Sequence, residues 1–226
     1  MITRDPQTLD APAVRRVFAI MAARGIEVRP EPPEARDPEA DRADGRIPAR
    51  FRQAEVDHPQ LRHWVNAMLA ATRRGPGGEL TAVGGPSLLM VGPTGTGKTH
   101  EAFGAIRALA AAGARLAWQA TTAADLYAAL RPRAGVDTER ELNAIARCPL
   151  LLLDDLGAAK GSEWTEEVTY RVINHRYAEM LPTLVTCNLP IGQLRQAVGE
   201  RVASRLAGMT GRAIFAGPDR RRKSAA

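Results

Sequence analysis

At 226 residues the chain has room for one domain of ordinary size and a small appendage. Its apolar fraction of 45% supports a real core, although aromatic residues make up only 4%. No apolar run is long enough to span a bilayer and the start lacks a signal-peptide pattern, so the expected compartment is the cytoplasm and no membrane partner is expected.

Charge is placed unevenly. Residues 1–50 carry nine basic and nine acidic side chains, and residues 51–194 carry fourteen of each. The net +6 therefore comes from residues 195–226, which hold eight basic and two acidic side chains. The cluster Arg220-Arg221-Arg222-Lys223 lies there, and concentrated positive charge attracts polyanions, nucleic acid first among them. For the last six residues a solvated basic tail is an equally good reading. Cys148 and Cys187 both border apolar strand candidates and are expected to stay reduced. If those strands are parallel neighbours, Cys148 begins one and Cys187 ends the other, which works against a disulfide.

In chain order, the first element is a small amphipathic helix. Asp10 can cap it, Pro12 sits in its first turn, Val14, Val17, Phe18 and Met21 share a face, and Gly25 stops it. Pro30, Pro32, Pro33, Pro38 and Pro48, set among charges, read as a linker. A lone helix must bury its apolar face on its own domain, on another copy or on a partner, and the long linker favours the partner. From Asp57 a second helix is signalled, with Pro59 in its first turn. Leu61, Trp64, Val65, Met68, Leu69 and Thr72 lie on one face, and Gly75-Pro76-Gly77-Gly78 ends it. His58 and His63 have no partners at ligand spacing and read as structural or solvated.

The apolar run Ser87–Val91 reads as a buried strand and residues 101–112 as an Ala-rich helix. Between them stands Gly92-Pro93-Thr94-Gly95-Thr96-Gly97-Lys98-Thr99, followed by His100. A strand, then G-x-x-x-x-G-K-[ST], then a helix is the context of a phosphate-binding loop. The glycines let successive N–H groups face inward, and the helix N-terminus adds its partial positive charge. Lys98 would reach the β- and γ-phosphates and the Thr99 hydroxyl would ligate Mg²⁺, so the expected ligand is a nucleotide, bound by the residues from Gly92 through His100.

Gly113 breaks the pattern, and residues 115–120 read as a second strand. Residues 122–147 look helical in two pieces broken at Pro132 and Gly135, the second opening with a Thr138-x-x-Glu141 capping box. Leu150-Leu151-Leu152-Leu153-Asp154-Asp155 suits a central parallel strand that delivers acids at its C-terminal edge, where α/β folds place ligand chemistry. Lying 56 residues after Lys98, Asp154 is the expected carboxylate on the Mg²⁺ side, and Asp155 can orient a water for attack on the γ-phosphate. A helix over residues 164–180 follows, with Glu163, Glu166 and Glu167 at its positive end and Pro182 after it. Residues 183–186 form another short strand, followed by Cys187-Asn188-Leu189. Two readings are open for Asn188: it holds the attacking water or the γ-phosphate, or it caps a turn. In Gly199-Glu200-Arg201-Val202-Ala203-Ser204-Arg205-Leu206 the two arginines are four apart on one helical face. They can reach an anionic ligand, including one on a neighbouring subunit, or they can be ordinary surface or salt-bridge residues. Residues 212–216 supply a last strand.

Together, residues 92–99, LLLLDDLG at 150–157, TCNL at 186–189 and GERVASRL at 199–206 resemble the DnaC/IstB-type AAA+ ATPases, from about Ile47 to Phe215. These are helicase loaders and ATP-binding accessory subunits of some transposases. The resemblance implies an α/β AAA+ fold with a parallel five-stranded sheet in the order 5-1-4-3-2 and helices on both faces. It makes Asn188 similar to the family's sensor-1 residue, and Arg205 similar to an arginine finger supplied in trans with Arg201 as its accessory. It places the helical pieces of residues 121–147 where this clade carries an extra element that helps engage DNA. In two respects the chain departs from the wider AAA+ pattern. Asp155 stands where many AAA+ proteins have Glu, and so few residues follow the last strand that little or no C-terminal lid is expected. Arg220 is then a candidate to act near the nucleotide.

The expected organisation is a partner-binding segment over residues 1–46, an ATPase domain over 47–217 and a basic tail over 218–226. The expected activity is ATP hydrolysis with ATP and Mg²⁺, weak and stimulated by partners. Its expected setting is a helicase loader that self-associates through its AAA+ interface, engages single-stranded DNA and holds a replicative hexameric helicase through residues 1–46. Other classes stand beside this one: a transposition accessory ATPase on duplex DNA, a nucleotide-switched binding module with negligible turnover, and a small-molecule kinase, which would have no use for the paired arginines.

Overall fold

The computed structural model describes residues 45–74, 80–82, 84–115, 117–158 and 161–220, all within the unit Asp37–Ala226. The helix read near the N-terminus, most of the proline-rich linker, and Arg221, Arg222 and Lys223 lie outside the described residues.

Helix α1 (Pro59–Ala70) leads into the short strands β1 (Thr72–Arg74) and β2 (Leu80–Ala82), then β3 (Ser87–Val91) and α2 (Lys98–Ala111). Strands β4 (Ala114–Arg115) and β5 (Trp118–Thr122) precede the helix pair α3 (Ala123–Leu130) and α4 (Thr138–Arg147). The order is completed by β6 (Leu150–Leu156), α5 (Glu163–Ala178), β7 (Thr183–Cys187), α6 (Ile191–Val198), α7 (Glu200–Met209) and β8 (Thr210–Ile214).

The main sheet is parallel throughout, in the order β5-β6-β7-β3-β8. Numbered along the chain, its five strands run 5-1-4-3-2, as expected. Strand β6 shows why a continuous apolar run is needed at its centre. Leu150 and Leu152 face one cluster, with Trp64 and Met68 of α1 and Ile106 and Leu109 of α2. Leu151 and Leu153 face the other, with Leu126, Ile145, Val172, Leu194 and Val202 of α3 through α7. All four leucines are fully buried, and each contributes roughly 1.5–3 kcal/mol of transfer free energy. The linker's last residues belong to the first cluster: Ile47 is buried in it, and the Arg46 guanidinium lies over the Trp118 ring, 4.5 Å from its centroid.

Four local readings need correction. The strand read over residues 115–120 is two: β4 pairs with β2 in a three-stranded side sheet, while β5 starts at Trp118 and joins the main sheet. Helix α1 stops at Ala70, so Thr72 belongs to β1 rather than to the helical face. Helix α4 is capped by Asp137, whose carboxylate accepts the Arg140 N–H at 3.0 Å, so Thr138 is its first helical residue and not its cap. The last strand is β8, two residues earlier than read. His58 is structural, as one reading had it. Its Nδ1 accepts the Gln60 N–H at 3.3 Å, and its ring stacks on Phe215 with centroids 4.4 Å apart.

Arg176, a helix residue of unremarkable sequence context, is fully buried. Its Nε donates to Thr183 Oγ1 at 2.8 Å, Nη1 to the carbonyls of Ala146 and Cys148 at 3.0 and 2.7 Å, and Nη2 to that of Pro182 at 2.7 Å. It thereby ties the end of α4 to the turn before β7, at the sheet edge opposite the site described next. Cys148 and Cys187 are both free, and burial pushes both thiols up from their ordinary range.

Candidate nucleotide-binding site

Residues 92–99 connect β3 to α2 at the C-terminal edge of the sheet. Gly97 is the N-cap of α2 with φ 100°, and Gly95 has φ 81°, conformations that side chains other than Gly rarely adopt. Thr96 is buried and donates to the Pro93 carbonyl at 2.8 Å, bracing the loop from within. Lys98 is buried along its length, and its ammonium donates to the carbonyls of Gly92 and Pro93 at 2.7 and 2.8 Å.

Beside the loop, Thr99 Oγ1 lies 3.0 and 3.2 Å from the two carboxylate oxygens of Asp154. Thr186 Oγ1 donates to the same carboxylate at 2.6 Å and accepts the N–H of Asp155 at 2.8 Å. Asn188 Nδ2 donates to Asp155 Oδ1 at 2.8 Å. Asp155 has φ 55°, a left-handed conformation uncommon outside Gly. Burial holds the Asp154 carboxyl above its ordinary range, and the Asp155 carboxylate pushes the same way. Donation from Thr186 and Thr99 and the charge of Lys98 oppose the rise without cancelling it.

These groups border a cleft of about 580 Å³, within the size range of small-molecule sites. Thr94, Gly95, Gly97, Lys98, Thr99, His100, Asp155 and Asn188 all line it. Gly92 and Pro93 line a neighbouring apolar groove, which shares Asn188. Asp154 and Thr96 reach the cleft only through Thr99 and the loop. Arg220 also lines the cleft: its N–H donates to the Gly95 carbonyl at 2.9 Å, and its guanidinium lies 4.0 Å from the buried carboxylate of Glu101.

Three contributions escaped the sequence reading. Arg50 and Phe51 line the cleft from the segment before α1, and Phe51 stacks on Phe103 of α2 at 5.0 Å. With only four phenylalanines in the chain, Phe51 so close to a predicted linker was a usable signal. Thr186 lies within the TCNL motif, but its link to both aspartates depends on strand pairing. The third is the setting of Arg201 and Arg205. They do not line the cleft of their own chain. They lie along α5: the Arg201 guanidinium is 3.8 Å from the Tyr170 ring centroid, and that of Arg205 is 4.8 Å from Tyr177's. Arg205 Nε donates to Asn174 Oδ1 at 3.0 Å. The cation beside Tyr170 lowers its phenol from the ordinary range.

Among the described residues no helix is long and apolar enough to cross a membrane. The replicative helicase loader DnaI of Bacillus subtilis (strain 168) is 36% identical over 58 residues, a quarter of this chain and 19% of that relative's length. A crystal structure of DnaI superposes with TM-score 0.62 at 20% identity, covering 79% of this chain and 99% of that one. A crystal structure of the DnaC helicase loader gives TM-score 0.60 at 26% identity, covering 75% and 100%. The fold is therefore that of the AAA+ P-loop proteins. The family described as IstB-like ATP binding protein matches residues 85–207, a span that holds the phosphate loop, both aspartates, Asn188 and the arginine pair. More than half of the chain lies in that match, and the protein belongs to the IstB-like ATP-binding family.

Proposed function

We propose that this protein is an ATP-driven helicase loader that assembles with copies of itself, engages single-stranded DNA and delivers a replicative hexameric helicase. The carrying observation is the division of the site. Lys98, Thr99, Asp155 and Asn188 converge on one cleft with Asp154 directly behind, while Arg201 and Arg205 stand outside it on α7. A neighbouring subunit can bring that arginine pair to the γ-phosphate, beside the Lys98, Arg50 and Arg220 that the cleft already holds. DnaI and DnaC, whose names describe helicase loaders, share the fold over nearly their whole solved chains.

In this reading ATP phosphates lie against the N–H groups of residues 95–99 at the start of α2, with Lys98 leaving its carbonyl partners for the β- and γ-phosphates. Thr99 and Asp154 offer hard oxygen donors that suit Mg²⁺, and among the described residues no larger cluster of His, Cys, Asp or Glu competes for a metal. Bound there, Mg²⁺ neutralises charge on the phosphate oxygens. Asp155 orients the attacking water, and Asn188 holds Asp155 in place. Arg205 of the next subunit, with Arg201 beside it, completes the γ-phosphate environment, an effect worth about 10³–10⁵ in rate. Loss of the γ-phosphate breaks that contact, so hydrolysis switches assembly. Residues 1–46 hold the helicase, and the positive excess in residues 195–226 engages DNA.

The test is loading itself. With ATP, the full chain should place a hexameric replicative helicase on circular single-stranded DNA, and Lys98→Ala should abolish this. A second reading rests on the resemblance to transposase accessory subunits: an ATPase that assembles on duplex DNA for transposition. ATP-dependent binding to duplex but not single-stranded DNA, with no helicase capture, would establish it instead.

A further inference from the structure

Neighbouring residues on a strand point to opposite faces. Asp154 and Asp155 are neighbours on β6, yet one reaches Thr99 and the other lines the cleft with Asn188. Strand pairing explains how. Leu153 of β6 stands opposite Val185 of β7, and the next pair is Leu156 with Cys187. Two residues of β6, the two aspartates, are therefore accommodated against one residue of β7, which is Thr186. This is a β-bulge, a device that re-aims a side chain and leaves one residue of the ladder unpaired.

Thr186 is fully buried, and its hydroxyl meets both demands of the bulge. It accepts the N–H of Asp155 at 2.8 Å, the backbone donor that the bulge withdraws from the ladder. It donates its own hydrogen to Asp154 Oδ1 at 2.6 Å. One hydroxyl thus fixes the backbone of one aspartate and the carboxylate of the other. The left-handed φ of Asp155 costs free energy and persists only where the surroundings over-determine it, and here the Thr186 hydroxyl and the Asn188 amide do so from two sides. Val has the same shape as Thr but can make neither bond.

We propose that Thr186 is a positioning residue that holds the β6 bulge, setting the Asp154 carboxylate toward Thr99 and the cation and the Asp155 carboxylate toward the γ-phosphate. The inference rests on the ATP reading of the cleft, and it separates two properties that an ordinary packing residue would not. Nucleotide binding without metal depends on the phosphate loop, which Thr186 does not touch. Metal affinity and turnover depend on the aspartates, which it holds.

The experiment uses the full chain as wild type, Thr186→Val and Thr186→Ser, with thermal melts to establish folding. A fluorescent ATP analogue in EDTA measures metal-free binding, and electron paramagnetic resonance of Mn²⁺ with ATP measures metal affinity. Thr186→Val is expected to bind the analogue in EDTA as wild type does. It should need about tenfold more Mn²⁺, and its kcat should fall at least tenfold with KM little changed, the scale set by groups that orient metal ligands. Thr186→Ser, which keeps the hydroxyl, should recover both properties. A folded Thr186→Val with wild-type Mn²⁺ affinity and kcat overturns the proposal, as does a Thr186→Ser that is as impaired as Val. If Val prevents folding, Thr186→Ala is read by the same criteria. Failure of the wild type itself to bind the analogue would instead refute the ATP reading.

Discussion

The Asn188 side-chain amide donates to Oδ1 of Asp155 at 2.8 Å, across the gap between β7 and β6. The contact joins the residue after one strand to a left-handed residue within the next, at the mouth of the cleft. Of the two roles open to Asn188 from sequence, we propose the one concerned with hydrolysis, exerted through Asp155. Asn188→Ala should bind ATP normally and lower single-turnover hydrolysis by about 10²-fold, as when one positioned donor is removed. Wild-type hydrolysis in that variant would return Asn188 to the turn.

The Asp154 carboxylate should destabilise the metal-free protein. The Asp154 carboxyl is held above its ordinary range, chiefly by burial, so folding favours its protonated form. The sign follows from linkage: the penalty is full above the raised folded value and fades as pH falls through it toward the unfolded value near 4. Asp154→Asn should therefore melt at a higher temperature than wild type at pH 8 in EDTA, and the difference should shrink as the pH is lowered toward 4. Thermal melts across that range measure it. A difference that grew on acidification would contradict the assignment.

Arg176 predicts a large stability effect far from the cleft. Its removal strands the carbonyls of Ala146 and Cys148 and leaves that of Pro182 with the Leu151 N–H alone. Arg176→Met restores volume but no donor, and two unmet carbonyls with two weakened acceptors, Pro182 O and Thr183 Oγ1, outweigh the relief of burying one less charge. The expected cost is roughly 3 kcal/mol or more, read from the urea midpoint at unchanged slope.

The parts of this architecture that were legible from sequence are those encoded locally. The run Leu150 to Leu153 announces a strand buried on both faces, and the spacing of Gly92, Gly97, Lys98 and Thr99 announces the loop. The sheet order came through the family resemblance, because no local pattern states which strands are neighbours. Arg176 looked like any basic residue on a helix, since its acceptors come from two distant stretches, the end of α4 and the start of β7. Phe51 and Arg50 lie more than forty residues before the loop they face, and the role of Thr186 exists only through the β6–β7 register. The split between β4 and β5 was hidden because only two residues separate them.

In the proposed mechanism, ATP held by one subunit is acted on by Arg205 of the next. Within its own chain Arg205 lies against Tyr177 and Asn174, away from the cleft, so this step needs two subunits. Arg205→Ala should bind ATP but hydrolyse it roughly 10³-fold more slowly, and Lys98→Ala should fail to bind it. The decisive measurement is ATP hydrolysis by mixtures of the two inactive variants over a range of ratios. Activity should reappear, highest near equal amounts, because Lys98→Ala supplies the arginine and Arg205→Ala supplies the working cleft. Mixtures that stay as inactive as their components at every ratio, although the subunits associate, would contradict an arginine acting between subunits.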